Sequence, residues 1–293
     1  MYLLDEVIQK NQEKLKKIIK DYEEELNKRN FGIIYDGIDG VYLIPAFTAL
    51  LLKNNINPLE YMNEVPKYFA YELDIKEIII PNNITRISYS AFENCSGLTE
   101  ITIPDSVTSI DNYAFYGCSN LTEIIIPSSV TSIGNYAFSK CSSLTEITIP
   151  SSVTSIGYGV FSDCTKLTEI TIPDSIISIN DDTFAFCSSL TSITIPDSVT
   201  IIGDFAFQGC KNLKSITTPN NVRYIGSDAF KDCISLTNIT IPKSVKTISY
   251  YAFDGCYNLT DIYYEGSEED WKNIKIYTYG NKELLNATIH YNS

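Results

Sequence analysis

The stretch Pro104–Ile126, PDSVTSIDNYAFYGCSNLTEIII, decides the fold, because its landmarks recur along the chain at one interval. Cys118 belongs to a series of cysteines at positions 95, 118, 141, 164, 187, 210, 233 and 256, each 23 residues after the last. Phenylalanines from Phe92 to Phe253 and prolines from Pro81 to Pro242 keep the same step. A fixed period of this length marks a solenoid, in which each repeat packs only on its neighbours.

Within the unit, Val107, Ile110, Ala114, Phe115, Cys118, Leu121, Ile124 and Ile126 are the apolar columns. Ile124 and Ile126 alternate, so both face one side of a strand. Pro127 stops that strand, since it has no N–H to give a ladder. Val130-Thr-Ser-Ile133 alternates again and predicts a second short strand. The next column, Ser88, Asp111, Gly134, Gly157, Asn180, Gly203, Gly226 and Ser249, consists of turn residues, several of which tolerate positive φ. The Ala-Phe-x-x-Cys step suits a short helical turn that drops Phe and Cys inward.

The cysteines invite a disulfide or metal reading, and their spacing disfavours both. Zinc sites use close pairs, and no two cysteines here are nearer than 23 residues. Equivalent side chains in a stack point the same way, so their Cβ atoms stay near the rung spacing, beyond the roughly 3.8 Å a bridge prefers. The reading is a ladder of small buried thiols. No cofactor is expected.

The unit L-T-E-I-x-I-P-x-S-V-T-S-I-G-x-x-A-F-x-x-C resembles the BspA-type leucine-rich repeat family over roughly residues 75 to 264. The closing segment, Ile262 to Ile274 with Asn286 to Tyr291, resembles the C-terminal cap of such arrays. The resemblance implies a non-catalytic binding surface, commonly displayed on bacteria or used against host proteins. The segment INPLEYMNEVPKYFAYELDIKEIIIP, residues 56 to 81, also resembles leaders on short repeat proteins of bacteria and their phages, which implies a phage- or prophage-borne origin. The expected fold is a right-handed leucine-rich repeat solenoid of about nine rungs, with stacked parallel β-strands, short helical turns and small α/β caps at both ends.

The expected organisation is an N-terminal capping or docking module over 1–56, the solenoid over 57–264 and a C-terminal cap over 265–293. Residues 3 to 29 read as an amphipathic helix, Ile33 to Ile44 as strand–turn–strand, and Ala46 to Asn54 as helix. The first helix covers the first rung or pairs with a second copy as a coiled coil, so the chain is a monomer or a dimer through that helix. Stepping back 23 residues from Phe92 and Cys95 predicts a degenerate first rung beginning near Pro58, with Phe69 in place and Glu72 where Cys would sit. Ser267-Glu-Glu-Asp270 fits a helix N-terminus, and Trp271 would seal the last rung.

The net charge of -14 argues against nucleic acid and against an anionic membrane surface. Met1 to Lys20 is rich in charge and has no apolar core segment, and no run of 18 apolar residues occurs, so the expectation is a cytoplasmic protein with no membrane partner. The sole histidine, His290, sits near the C-terminus in a predicted capping strand, away from any nucleophile it could activate. No P-loop, G-x-G-x-x-G or H-E-x-x-H is present. An enzyme is therefore not expected.

The binding candidates lie on the surface columns. One outward strand column reads Glu77, Glu100, Glu123, Glu146, Glu169, then Ser192, Ser215, Asn238 and Asp261. Stacked carboxylates at strand spacing repel one another and would attract a basic protein partner. The same stripe also reads as a solubility device that blocks sheet stacking. A second set is aromatic: Tyr113, Tyr136, Tyr158, Phe205 and Tyr251, with Tyr89 and Tyr250, scattered over two columns and open either to ligand or to packing over the turns. Three roles follow: a protein-binding scaffold, a surface adhesin if a leader is missing, or a structural component of a phage or cell-surface assembly.

Overall fold

Two short runs in each repeat are branched and alternating, and each becomes a parallel ladder because its neighbours one period away carry the same pattern. The computed structural model describes residues 33–36, 40–43, 45–53 and 57–292. The helix expected over 3 to 29, and with it the coiled-coil dimer, lies outside these residues. Strands Ile33–Asp36 and Gly40–Leu43 pair antiparallel, as the strand–turn–strand reading expects, and a helix runs over Pro45–Lys53.

From residue 58 the chain is a parallel solenoid of about nine turns. One ladder stacks Arg86–Ile87, Ser109–Ile110, Ser132–Ile133 and Ser155–Ile156, and resumes from Ser178–Ile179 through Thr247–Ile248 to Lys275–Ile276. The other runs along the Leu-x-x-Ile-x-Ile segment. It is seen as single bridges at Thr102, Ile125 and Thr148, and as strands from Glu169–Thr171 to Thr288–Tyr291. The first ladder breaks where Ile177 replaces the usual threonine. There Asn180 donates its side-chain Nδ2 to the Ile156 carbonyl at 2.6 Å. In other rungs that carbonyl's equivalent accepts a backbone N–H, as Ile133 O does from Gly157 N–H at 2.9 Å.

The backbone bonds between rungs differ on the two sides of the coil. On the strand side N–H groups bond to both neighbours, Thr131 to Thr108 O of the preceding rung at 2.9 Å and Ile172 to Thr194 O of the following one at 3.1 Å. On the turn side they point to the following rung: Tyr113 to Asn135 O at 2.9 Å, Phe115 to Ala137 O at 2.8 Å and Gly117 to Ser139 O at 2.8 Å. Intervening residues close three-residue turns, such as Cys118 N–H to Phe115 O at 3.2 Å. The Ala-Phe-x-x-Cys step is thus a run of turns rather than a helix.

The turn reading needs a second correction. The left-handed residues are not the Gly134 column. They form two others, one through Ser90, Tyr113, Tyr136, Gly159, Asp182, Phe205, Asp228 and Tyr251, and one through Asn94, Gly117, Lys140, Asp163, Phe186, Gly209, Asp232 and Gly255. Gly134 is required for a different reason: a Cβ there would lie 2.4 Å from the Asn112 backbone nitrogen of the preceding rung.

The core is a row of phenylalanines and a row of thiols. Phe92 to Phe253 stack face to face, with centroids 5.2–6.0 Å apart. Every cysteine is buried and unpaired by disulfide. Each also donates its Sγ–H to a carbonyl of the preceding rung, as Cys141 does to Phe115 O at 3.2 Å and Cys164 to Phe138 O at 3.2 Å. The thiols are therefore directional donors as well as small hydrophobes. Burial pushes the pKa of the thiols from Cys95 to Cys233 up, to about 12 for Cys95.

The first rung is one residue short, which corrects the alignment based on 23. Val65 bridges Ile87, and Leu73 N–H closes its turn on Ala70 O at 2.9 Å as Cys95 N–H does on Phe92 O at 3.1 Å. Leu73, not Glu72, stands at the cysteine position, and Glu72 takes the left-handed site equivalent to Asn94. Phe69 therefore lies under Ala91, and it meets Phe92 edge-on at 76° instead of stacking.

At the other end, residues 265–291 trace one more coil, lengthened by helices Glu268–Lys272 and Lys282–Asn286. Ser267 and Asp270 form a capping box on the first helix, and Trp271 packs edge-on against buried Tyr264 at 5.1 Å. Buried Asn281 supplies what the missing repeat backbone would. Its Oδ1 accepts Phe253 N–H at 3.0 Å, and its Nδ2 donates to Ser249 O and Tyr277 O at 2.7 and 2.6 Å.

Two outcomes test this core. Phe138→Ala should lower stability by about 3–5 kcal/mol, because it opens a gap in a stack closed on both sides; urea unfolding followed by circular dichroism measures it. In native protein at pH 8 the thiols should resist iodoacetamide, and all should label once the chain is denatured, since the thiolate is the reactive form.

Candidate binding surfaces

Along the segment Leu121 to Ile126, Leu121, Ile124 and Ile126 are buried, while Thr122, Glu123 and Ile125 are exposed. The same alternation in adjoining rungs exposes Glu77, Glu100, Glu123, Glu146 and Glu169 in one column. Rungs at strand spacing place successive carboxylates about 4.8 Å apart. None of the five is in an ion pair among the described residues. Two of the threonines beside them are tied to the preceding rung, Thr122 donating Oγ1–H to Thr99 O at 3.2 Å and Thr145 to Thr122 O at 3.5 Å. The column then turns neutral at Ser192 and Ser215, so the charge is confined to one half of the face.

Asp261, at the far end of that column, is differently placed. Its carboxylate meets His290 Nε2 at 2.6 Å and accepts the Thr260 hydroxyl at 2.7 Å. His290 lies on the paired strand Thr288–Tyr291, and its ring stacks on Tyr263 at 5.0 Å. The contact with His290, then that with Thr260, holds the Asp261 carboxyl below the usual carboxylate range. Both His290 and Thr260 approach the one Asp261 carboxylate.

The aromatic candidates do not form one surface. Tyr113 sits in a row with Tyr89 at 5.6 Å and Tyr136 at 5.4 Å. The row ends because Gly159 and Asp182 follow in Tyr136's column. Tyr158 lies in the neighbouring column and is half exposed, with its backbone N–H held by Asn135 Oδ1 at 2.9 Å. Phe205 stands apart at a left-handed position. Tyr251 meets Tyr279 edge-on at 5.1 Å and lies under the Lys231 ammonium at 5.2 Å.

One feature absent from the sequence reading is a groove of about 470 Å³ across five rungs, with Arg86, Tyr89, Asn112, Gly134, Asn135 and Gly157 among its lining residues. Its sequence signal is the pairing of two columns: glycine at 134 and 157 beside asparagine at 112 and 135. Each alone looks like turn chemistry. Only the stack shows that glycine in one column lets the next rung's backbone close in on the asparagines of the other.

Among the described residues no group of three His, Cys, Asp or Glu is placed to hold a metal ion, and no helix is long and apolar enough to cross a membrane.

The Asp261 pair makes a pH prediction with a definite sign. A carboxyl with a depressed folded pKa adds stability above its unfolded value, near 4, and loses that contribution as pH falls through the folded value. His290→Ala should move Asp261 titration up toward the ordinary carboxylate range in carbon-detected NMR, and should remove that part of the acid sensitivity of the C-terminal coil.

With this geometry in view, comparison with known proteins is informative. No curated protein sequence is matched. Among solved structures, a leucine-rich repeat protein from Bacteroides ovatus is similar at 26% identity, with 75% of this chain and 68% of that one covered and a TM-score of 0.57. A leucine-rich repeat protein of T. pallidum is 27% identical over 62% of this chain and 77% of its own, with a TM-score of 0.45. A leucine-rich cell surface protein of Faecalibacterium prausnitzii is 28% identical over 71% and 84%, with a TM-score of 0.33. The model of the BspA-type leucine-rich repeat region matches residues 63–191 and 177–293 in six copies, and this chain belongs to that family.

Proposed function

We propose that the chain is a non-catalytic scaffold that binds a basic protein partner on its glutamate-lined strand face. Repeat proteins of this family are typically protein-binding or surface scaffolds. The observation that carries the finer reading is the column of five exposed, unpaired carboxylates at rung spacing, Glu77 to Glu169. A solubility device could be spread over any column. This one lies on the broad strand face and stops at Ser192, which leaves a charged segment of defined length.

The physical mechanism is preorganisation. The backbone that carries the carboxylates is fixed rung by rung, so a partner meets them at a set spacing with little backbone ordering left to do on binding. Complementary charge would mainly speed association and select register, and it would weaken with salt. Residues 1–56 serve, in this reading, as the N-terminal capping or docking module, and 265–293 as the C-terminal cap.

Immobilised protein should capture a basic partner from a lysate of its native host, and 0.5 M salt should release it. A variant with Glu100, Glu123, Glu146 and Glu169 changed to Lys should keep its circular dichroism and lose that partner. Equal capture by both proteins would remove the glutamates from the binding site.

A further inference from the structure

Along the turn edge of the first four rungs, tyrosines gather around one carboxylate. Glu72 N–H bonds to Glu93 O at 2.8 Å and Asn94 N–H to Tyr116 O at 2.6 Å. Tyr71, Glu93 and Tyr116 therefore stand in one column, about 4.8 Å apart. Tyr71 meets Tyr68 edge-on at 5.7 Å, and Tyr116 meets Tyr113 edge-on at 5.7 Å. Tyr89 bridges the two pairs, 5.6 Å from both Tyr68 and Tyr113. All of these residues are half-buried. Tyr113 and Tyr136 hold a left-handed backbone that Gly159 and Asp182 take at lower cost in the next two rungs, so the turn alone does not call for tyrosine.

The charge here is negative and unpaired. No lysine or arginine occurs between Arg86 and Lys140. Arg86 donates to Asp111 at 2.9 Å, and the Lys140 ammonium sits over the Tyr116 ring at 4.9 Å. Glu93 accepts the buried Ser90 hydroxyl and is in no ion pair among the described residues. The Glu72 contact first, then burial and the Glu93 charge, raise the Tyr71 hydroxyl above its usual pKa. Burial first, then Tyr89 and Glu93, raise that of Tyr113. The chain itself shows what such rings accept: Lys231 lies over Tyr251 at 5.2 Å and Lys275 over Tyr277 at 4.5 Å. Among the described residues no ammonium lies over Tyr71, Tyr89, Tyr113 or Tyr136.

We propose that Glu93 and the tyrosines around it form a binding site separate from the glutamate face, and that its ligand is an alkylated ammonium group of the trimethylammonium type. A ring face attracts a cation through its quadrupole, and the carboxylate adds its full charge. Glu72 and Glu93 repel anions, and a neutral apolar group gains nothing from either. A primary ammonium would exchange three strong hydrogen bonds to water for acceptors here. The site offers it little, because the Glu93 carboxylate already holds the Ser90 hydroxyl. Methylation removes those donors and spreads the charge over C–H groups that rings can cover.

The test uses the full chain with choline, acetyl-trimethyllysine amide, acetyl-lysine amide and dimethylbutanol, the neutral carbon isostere of choline. Binding is read by NMR from the ring signals of Tyr113 and Tyr116 in tyrosine-labelled protein. At least one trimethylammonium ligand should shift both signals with a Kd of about 1 mM. Whichever of the two binds more tightly tells whether the group is carried by a small solute or by a protein side chain. Glu93→Gln, which keeps an acceptor for Ser90, should weaken binding about fivefold. Tyr71→Leu should weaken it about threefold, and both variants should keep their circular dichroism. The proposal is overturned if neither trimethylammonium ligand binds, if dimethylbutanol or acetyl-lysine amide binds as tightly, or if Glu93→Gln binds equally.

Discussion

Each phenylalanine carbonyl from Phe92 to Phe230 accepts two hydrogens, and the rest of the solenoid depends on that double acceptance. One comes from the cysteine N–H three residues on, the other from the cysteine thiol of the next rung, as Phe115 O does with Cys118 N–H and Cys141 Sγ–H, both at 3.2 Å. Both lone pairs of a fully buried carbonyl are thereby used, which avoids the cost of an orphaned acceptor. The same arrangement fixes the spacing. A residue inserted between Phe and the next Cys would displace the thiol from its carbonyl and the ring from its stack together. Where one residue is missing, in the first rung, Ala70 O still takes the Cys95 thiol, and it is the aromatic stacking that gives way.

Backbone bonding complements this. An interior rung is tied to both neighbours along its strands, and its turns add bonds to the rung after it. Such a frame tolerates like charges in a column on its surface, since solvated carboxylates repel by little compared with the packing beneath them. It also tolerates left-handed residues as large as Tyr113 and Phe186, each of which costs about 1–2 kcal/mol against the right-handed alternative. The stacked neighbours hold those residues in place.

The period, the two strands and the buried columns were legible because each is written eight times over, and noise at one copy is corrected by the others. The parts that were not legible are those where repetition misleads. Counting back 23 placed Glu72 at the cysteine position, because sequence cannot show which residue a shortened rung omits. Gly134 looked like a positive-φ turn residue, because glycine answers equally to backbone conformation and to close approach, and only the stack shows that Asn112 lies against it. Glu123 was placed correctly from alternation alone. The groove by Asn112 and Asn135 depends on two columns meeting across a turn, and periodicity describes columns singly.

The identical closing bonds of successive rungs have a genetic consequence. Excising any one 23-residue unit from the regular middle joins ends that already match in backbone direction, ring position and thiol position. Copy number can therefore drift by unequal recombination without passing through a misfolded intermediate length. The atypical first and last coils, with Leu73 and Asn281 in place of repeat residues, are segments such drift cannot renew. They set the limits between which the molecule is free to lengthen or shorten, and with it the extent of charged face it presents.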